Sequence, residues 1–181
     1  MNLSLISSFV IGTIILLSLV KVNLSLVKNS MDSMNDQLAK VNINNVSTVV
    51  SNDFRKMGYG ISGSSLMEAT PLKITFKGDL EDDGAVDQIT WELDKSQAVS
   101  ETPNPDDFVL IRTVNGNSIP IKMGVTKFNL NYFDENNQPT AILDEVRRVE
   151  VKLICESTEP VDGRYRSAAW EKTFAPLSIA K

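Results

Sequence analysis

Leu3-Ser-Leu-Ile-Ser-Ser-Phe9-Val-Ile-Gly12-Thr-Ile-Ile-Leu-Leu17-Ser-Leu-Val20 contains no charged residue, and its apolar side chains surround a helix on all sides. A run of about 18 residues is at the short end of what crosses a bilayer core, but Val22, Leu24, Leu26 and Val27 extend it past Lys21, whose long stem can snorkel. The stretch reads as a membrane span, with Leu5, Phe9, Ile14 and Leu17 among its apolar side chains. A secretory signal peptide is the rival reading, weakened by the missing basic n-region and by the lack of a small-residue cleavage site. Lys21 and Lys28 follow the span while only the α-amine precedes it, so the positive-inside rule weakly favours the wrong orientation for an exported body. Orientation stays open.

Downstream the pattern changes without a Pro or Gly break. Val27, Met31, Met34, Leu38 and Val41 recur at spacings of three and four, and after a skip come Val46, Val50, Phe54 and Met57. This predicts an amphipathic continuation of the same helix. A single helix from about residue 3 to about 57 would run for roughly 80 Å. The stripe is expected to pack against the chain's own domain rather than to form a recognition groove. Gly58, Gly60 and Gly63, with Ser62, Ser64 and Ser65, mark the helix end, and Pro71 forbids helix beyond it.

From residue 72 the composition turns to strands. Leu72 to Lys77 and Asp87 to Leu93 alternate apolar and polar groups and predict a hairpin. Phe108 to Val114 and Ile119 to Met123 predict a second, closed by Asn115-Gly116-Asn117. Pro120 restricts its strand to an edge or a bulge. Val125 to Phe133 and Val146 to Cys155 form another pair across the polar turn at Asp134 to Gln138. A last strand runs from about Arg166 to Phe174 after the turn at Pro160 to Gly163. The expected fold class is α+β: a long N-terminal hydrophobic and amphipathic helix packed on an antiparallel β-sheet of six or seven strands. The divisions are 1–28, the membrane-spanning half of the helix; 29–60, its amphipathic half; and 61–181, the sheet domain.

Composition narrows function. The 181-residue chain has 18 Lys plus Arg, 23 Asp plus Glu, a net charge of −5 and no histidine. Up to residue 60 the positives Lys21, Lys28, Lys40, Arg55 and Lys56 outnumber Asp32, Asp36 and Asp53, leaving +2 on the helix and −7 on the body. Such an acidic body speaks against nucleic-acid binding. With Cys155 as the single cysteine and no histidine, an intrachain disulfide, a Cys/His zinc site and a histidine-based triad are excluded. Cys155 lies in an alternating strand and is expected to be an inert buried thiol. Trp91, Tyr132 and Trp170 are expected to pack in or across strands. No spacing of acids identifies a glycosidase pair, so no enzyme activity and no small-molecule substrate are expected.

Four stretches carry a family resemblance. Asp53-Phe-Arg-Lys-Met-Gly-Tyr59 resembles the helix-terminating element of type IV pilin-like subunits, and Ile74 to Trp91 resembles the acidic hairpin that follows it. Leu110-Ile-Arg112, then Gly124-Val-Thr-Lys-Phe-Asn-Leu-Asn-Tyr-Phe-Asp134, is similar to the family's central strands, with Arg147 to Leu153 as partner. In order and content the chain resembles the minor pilins of type IV pili and the J-type minor pseudopilins of type II secretion. The resemblance implies a filament subunit that assembles through its N-terminal helix with other pilin-like subunits. It also implies an inner-membrane anchor before assembly, with the globular domain exported to the periplasm or cell surface. Leu5, Phe9, Ile14 and Leu17 would then be assembly residues. A pilin precursor has a basic leader ending in Gly and a mature helix with Glu at its fifth position, whereas this chain reads Met1-Asn-Leu-Ser-Leu5. The departure implies a tip or initiator component, or a membrane-anchored relative that does not polymerise.

One further site is read from spacing alone. Asp79, Glu81 and Asp83 stand at positions 1, 3 and 5 of a loop, with Gly84 at 6, the Ala85 carbonyl at 7 and Asp87 at 9. That matches the first nine positions of an EF-hand calcium loop, although Thr90 replaces the bidentate Glu at position 12. Calcium would order the turn, and a solvated acidic hairpin is the alternative. A membrane-anchored or secreted calcium-dependent binding module, without a filament role, is accordingly the second functional reading.

Overall fold

The computed structural model describes residues 3–175, less the side chains of 3, 5 and 97. Helix α1 runs unbroken over Leu3–Arg55, 53 residues. Its end is a glycine cap. Gly58 takes a positive φ of 73° that an L side chain resists, and its N–H leaves the helix to donate to the Lys77 carbonyl at 2.7 Å. Gly78 accepts the close approach, because a Cβ there would stand 2.1 Å from the Lys56 carbonyl oxygen.

Seven strands follow: β1 (Leu66–Ala69), β2 (Lys73–Gly78), β3 (Asp87–Ala98), β4 (Phe108–Val114), β5 (Asn117–Phe133), β6 (Arg148–Glu156) and β7 (Ser167–Phe174). They form one antiparallel meander in chain order. The class is α+β, as the sequence predicts. Period-two burial is clearest in β6, where Val149, Val151, Leu153 and Cys155 point inward and Glu150 and Lys152 outward. The core joins these to Phe128 and Leu130 of β5, Ile89 and Trp91 of β3, and Ile74 and Phe76 of β2. Helix α1 supplies Ile43, Val46, Val50 and Phe54.

The sheet curls around the helix end. Flat strands five places apart would lie about 24 Å from each other, yet the Phe54 ring sits 5.4 Å from Phe76 of β2 and 5.2 Å from Phe174 of β7. One helix residue therefore closes both sides of the core.

Two expectations change. Residues 119–123 and 125–133, read as separate strands, are one 17-residue strand. Gly124 bends it at φ 67°, where a Cβ would lie 2.2 Å from the Glu156 carbonyl oxygen, and the β5–β6 register shifts between Val125 and Lys127. Before the bend β5 pairs with β4 alone, so Pro120 occupies an edge and costs no ladder bond to β6. Strand β1 is the other change. It is four residues long with a bulge between Leu66 and Glu68, too short for alternation to reveal it.

Candidate functional site

Helix α1 has three kinds of surface along its length. The first, from Ile6 to Val27, is apolar and unburied: Phe9 is 76% exposed, and Ile14 and Leu17 are more than half exposed. Leu5 lies on the same helix, with its side chain outside the described residues. Three hydroxyls here are internally satisfied. Ser8, Thr13 and Ser18 donate to the carbonyls of Ser4, Phe9 and Ile14 at 2.8–2.9 Å, which removes unpaired donors from an apolar surface. The segment is a candidate membrane span by length and hydropathy, a property that an anchor and a signal sequence share.

The second surface faces the sheet domain. Near the span it is polar: Lys28 pairs with Asp162, Arg166 pairs with Asp32 through two nitrogens, and Asn35 donates to the Glu159 carbonyl at 2.8 Å. Further up it becomes apolar through Ala39, Ile43, Val46, Val50 and Phe54, all buried.

The third surface was unexpected. Val27, Met31, Met34, Leu38 and Val41 do not pack on the domain; Met34 is 64% and Leu38 42% exposed. The expectation that the whole stripe covers the sheet therefore holds for Val46, Val50, Phe54 and Met57 and fails for the first five. The cause is helical geometry. At 100° per residue the five-residue skip from Val41 to Val46 turns the stripe by about 140°, so the two runs lie on different faces. Val49 returns to the first face and is also exposed. The skip was readable in the sequence, and it is the signal that separates the two faces.

Three of the quoted motif stretches meet at one side chain. Asp53, in the last turn of α1 and 3% exposed, accepts the Trp91 Nε1–H at 2.9 Å and the Arg112 Nε and Nη2 groups at 2.7 and 2.9 Å. A carboxylate at a helix C-terminus opposes the helix dipole, and the bidentate guanidinium offsets that. The Asp53 hydrogen bonds hold the Arg112 pKa above its ordinary value. The triad ties the helix to β3 and β4.

In the acidic loop Asp79, Asp83 and Asp87 accept hydrogen bonds from the chain itself. Asp79 accepts the N–H groups of Asp83 and Gly84 at 3.2 and 2.9 Å, Asp83 accepts that of Ala85 at 2.8 Å, and Asp87 accepts Leu80 N–H and Asn115 Nδ2 at 3.0 and 2.7 Å. Burial works to raise the Asp79 pKa, and the N–H groups of Gly84, Asp83 and Asp82 outweigh it, leaving the carboxyl below its ordinary range. Glu81 and the Ala85 backbone stand on the exposed rim. Among the described residues no three acidic or cysteine side chains converge as a metal-binding group. The remaining singled-out residues are structural. Cys155 is fully buried, its thiol pushed up to about 12 chiefly by that burial. Trp91 is in the core, and Tyr132 donates its hydroxyl to the Thr70 carbonyl at 2.8 Å.

No family model, curated protein or solved structure matches the chain.

Proposed function

We propose that the chain is a minor pilin-like or pseudopilin-like structural subunit, anchored in the inner membrane with its sheet domain exported. It assembles through α1 into, or at the tip of, a type IV pilus or type II secretion pseudopilus. The observation that carries this reading is the exposed stripe from Met31 to Val41. A simple membrane anchor needs apolar surface only over the bilayer, and a secreted domain needs none on its outside. Here the apolar face continues for about 21 Å beyond Val27, as far as Val41, on the side of the helix turned away from its own domain. Uncovered faces of this kind are the usual mark of intermolecular contact. The all-round apolar segment below it exchanges lipid for neighbouring helices with little change in hydrophobic free energy.

Removing residues 1–28 tests the reading. The truncated chain is expected to be soluble and to unfold cooperatively, and to be missing from sheared surface filaments that contain the full chain. Truncated protein incorporated at the full-length level would refute the assembly role.

A further inference from the structure

We propose that the β3–β4 connection, residues 99–107, is a proton-operated latch: Asp107 holds a proton while the connection is closed against β6, and ionisation of Asp107 releases it. Asp107 is 1% exposed, and its buried Oδ1 has no hydrogen-bond partner. Oδ2 lies 3.0 Å from Thr102 Oγ1, which in turn lies 3.3 Å from the Val99 carbonyl oxygen. A hydroxyl has one hydrogen and cannot donate to both. With a proton on Asp107 Oδ2 both contacts are made: the acid donates to Thr102, and Thr102 donates to Val99. Without that proton the Thr102 hydroxyl is the single donor to a buried anion whose second oxygen has none, and the Val99 carbonyl keeps only the Thr102 N–H at 3.3 Å.

The surroundings favour the neutral acid. Burial is the main influence raising the Asp107 pKa, and Glu101 of the connection and Glu156 of β6 push the same way against the Thr102 hydroxyl. The other titratable neighbour is the buried Cys155 thiol on β6. The cations of the adjoining strands are engaged elsewhere: Lys122 of β5 donates to Glu101 at 2.8 Å, and Lys95 of β3 lies over the Phe108 ring.

The connection is also linked to the helix. Val99 N–H donates to the Asp107 carbonyl at 2.8 Å, Asn104 Nδ2 to Glu156 Oε2 at 3.0 Å, and the Tyr165 hydroxyl to the Pro103 carbonyl at 3.1 Å. Tyr165 belongs to the β6–β7 connection, whose Glu159 and Asp162, with adjoining Arg166, grip α1. Opening the latch removes one support of that grip.

Because the closed-state pKa of Asp107 is raised, its stabilising contribution is complete below the ordinary Asp value. It is lost as pH rises through the closed-state value. The test is amide hydrogen exchange of Val99 and Asp107 in the full chain in detergent micelles, corrected for intrinsic chemistry, from about pH 4 to pH 7. Protection should fall up to about tenfold per pH unit between the ordinary and the raised value. Asp107→Asn should abolish that slope. A flat wild-type profile, or an Asp107 carboxyl carbon that titrates at the ordinary Asp position, overturns the proposal. The carboxyl-carbon titration needs no variant and decides even where Asp107→Asn fails to fold.

Discussion

Leu38 and Val50 are apolar residues twelve positions apart on one uninterrupted helix, and they have opposite fates. Val50 is fully buried under the sheet, while Leu38 stands 42% exposed. Nothing in the backbone differs between them. The difference is what lies opposite. Above residue 39 the curled sheet supplies Phe76, Leu153 and Phe174, so an apolar side chain on the face turned to it becomes core, while Val41 and Val49 on the other face stay exposed. Below it the domain meets the helix through the polar contacts of Lys28, Asp32 and Asn35, and the apolar residues turn to another face. An apolar period therefore says that a helix has a partner, and only the fold says whether that partner is its own domain.

The contrast can be broken most forcefully at Phe54. Phe54→Ala removes a ring that touches both β2 and β7, and a loss of about 4 kcal/mol in unfolding free energy is expected by denaturant titration. Asp53→Ala comes next. It strands the Trp91 N–H and a partly buried guanidinium, for about 3 kcal/mol, while Asp53→Asn keeps the acceptor for Trp91 and loses less. Gly78→Ala forces a Cβ toward the Lys56 carbonyl and costs about 2 kcal/mol, read as a lowered thermal midpoint. At the polar end, Asp32→Asn removes an exposed ion pair with Arg166. Its effect on the midpoint is expected to be small and to vanish at high salt. Met34→Ala and Leu38→Ala should change folding by less than about 0.5 kcal/mol, because neither side chain touches the core. A loss at Leu38 comparable to that at Phe54 would erase the distinction between the two faces.

Legibility followed the range of the interactions involved. The helix over residues 3–55, the Asn115-Gly116 turn and the alternation of β6 all rest on local periods and turn chemistry, and the sequence displays them. Strand β5 stays continuous because Gly124 bends it against the Glu156 carbonyl, a close approach that residue types alone do not display. The Asp53 triad was hidden for a related reason. Its members are 38 and 59 residues apart, and a sequence shows residue types without the register that brings them together. In the acidic loop the EF-hand spacing was visible, but the direction of each oxygen was not. Backbone N–H groups take Asp79 and Asp83, in the manner of turns closed by short acidic side chains.

The measurement closest to the proposed role is incorporation of the Met34→Glu, Leu38→Glu double variant into sheared surface filaments, compared with its level in membranes. Both positions are exposed in the isolated chain, so folding and membrane insertion should match the wild type. Two buried carboxylates cannot be accommodated where a neighbouring helix covers the stripe. We expect the variant to accumulate in membranes and to be absent from filaments. Equal incorporation of variant and wild type would show that the exposed face of α1 is not an assembly surface.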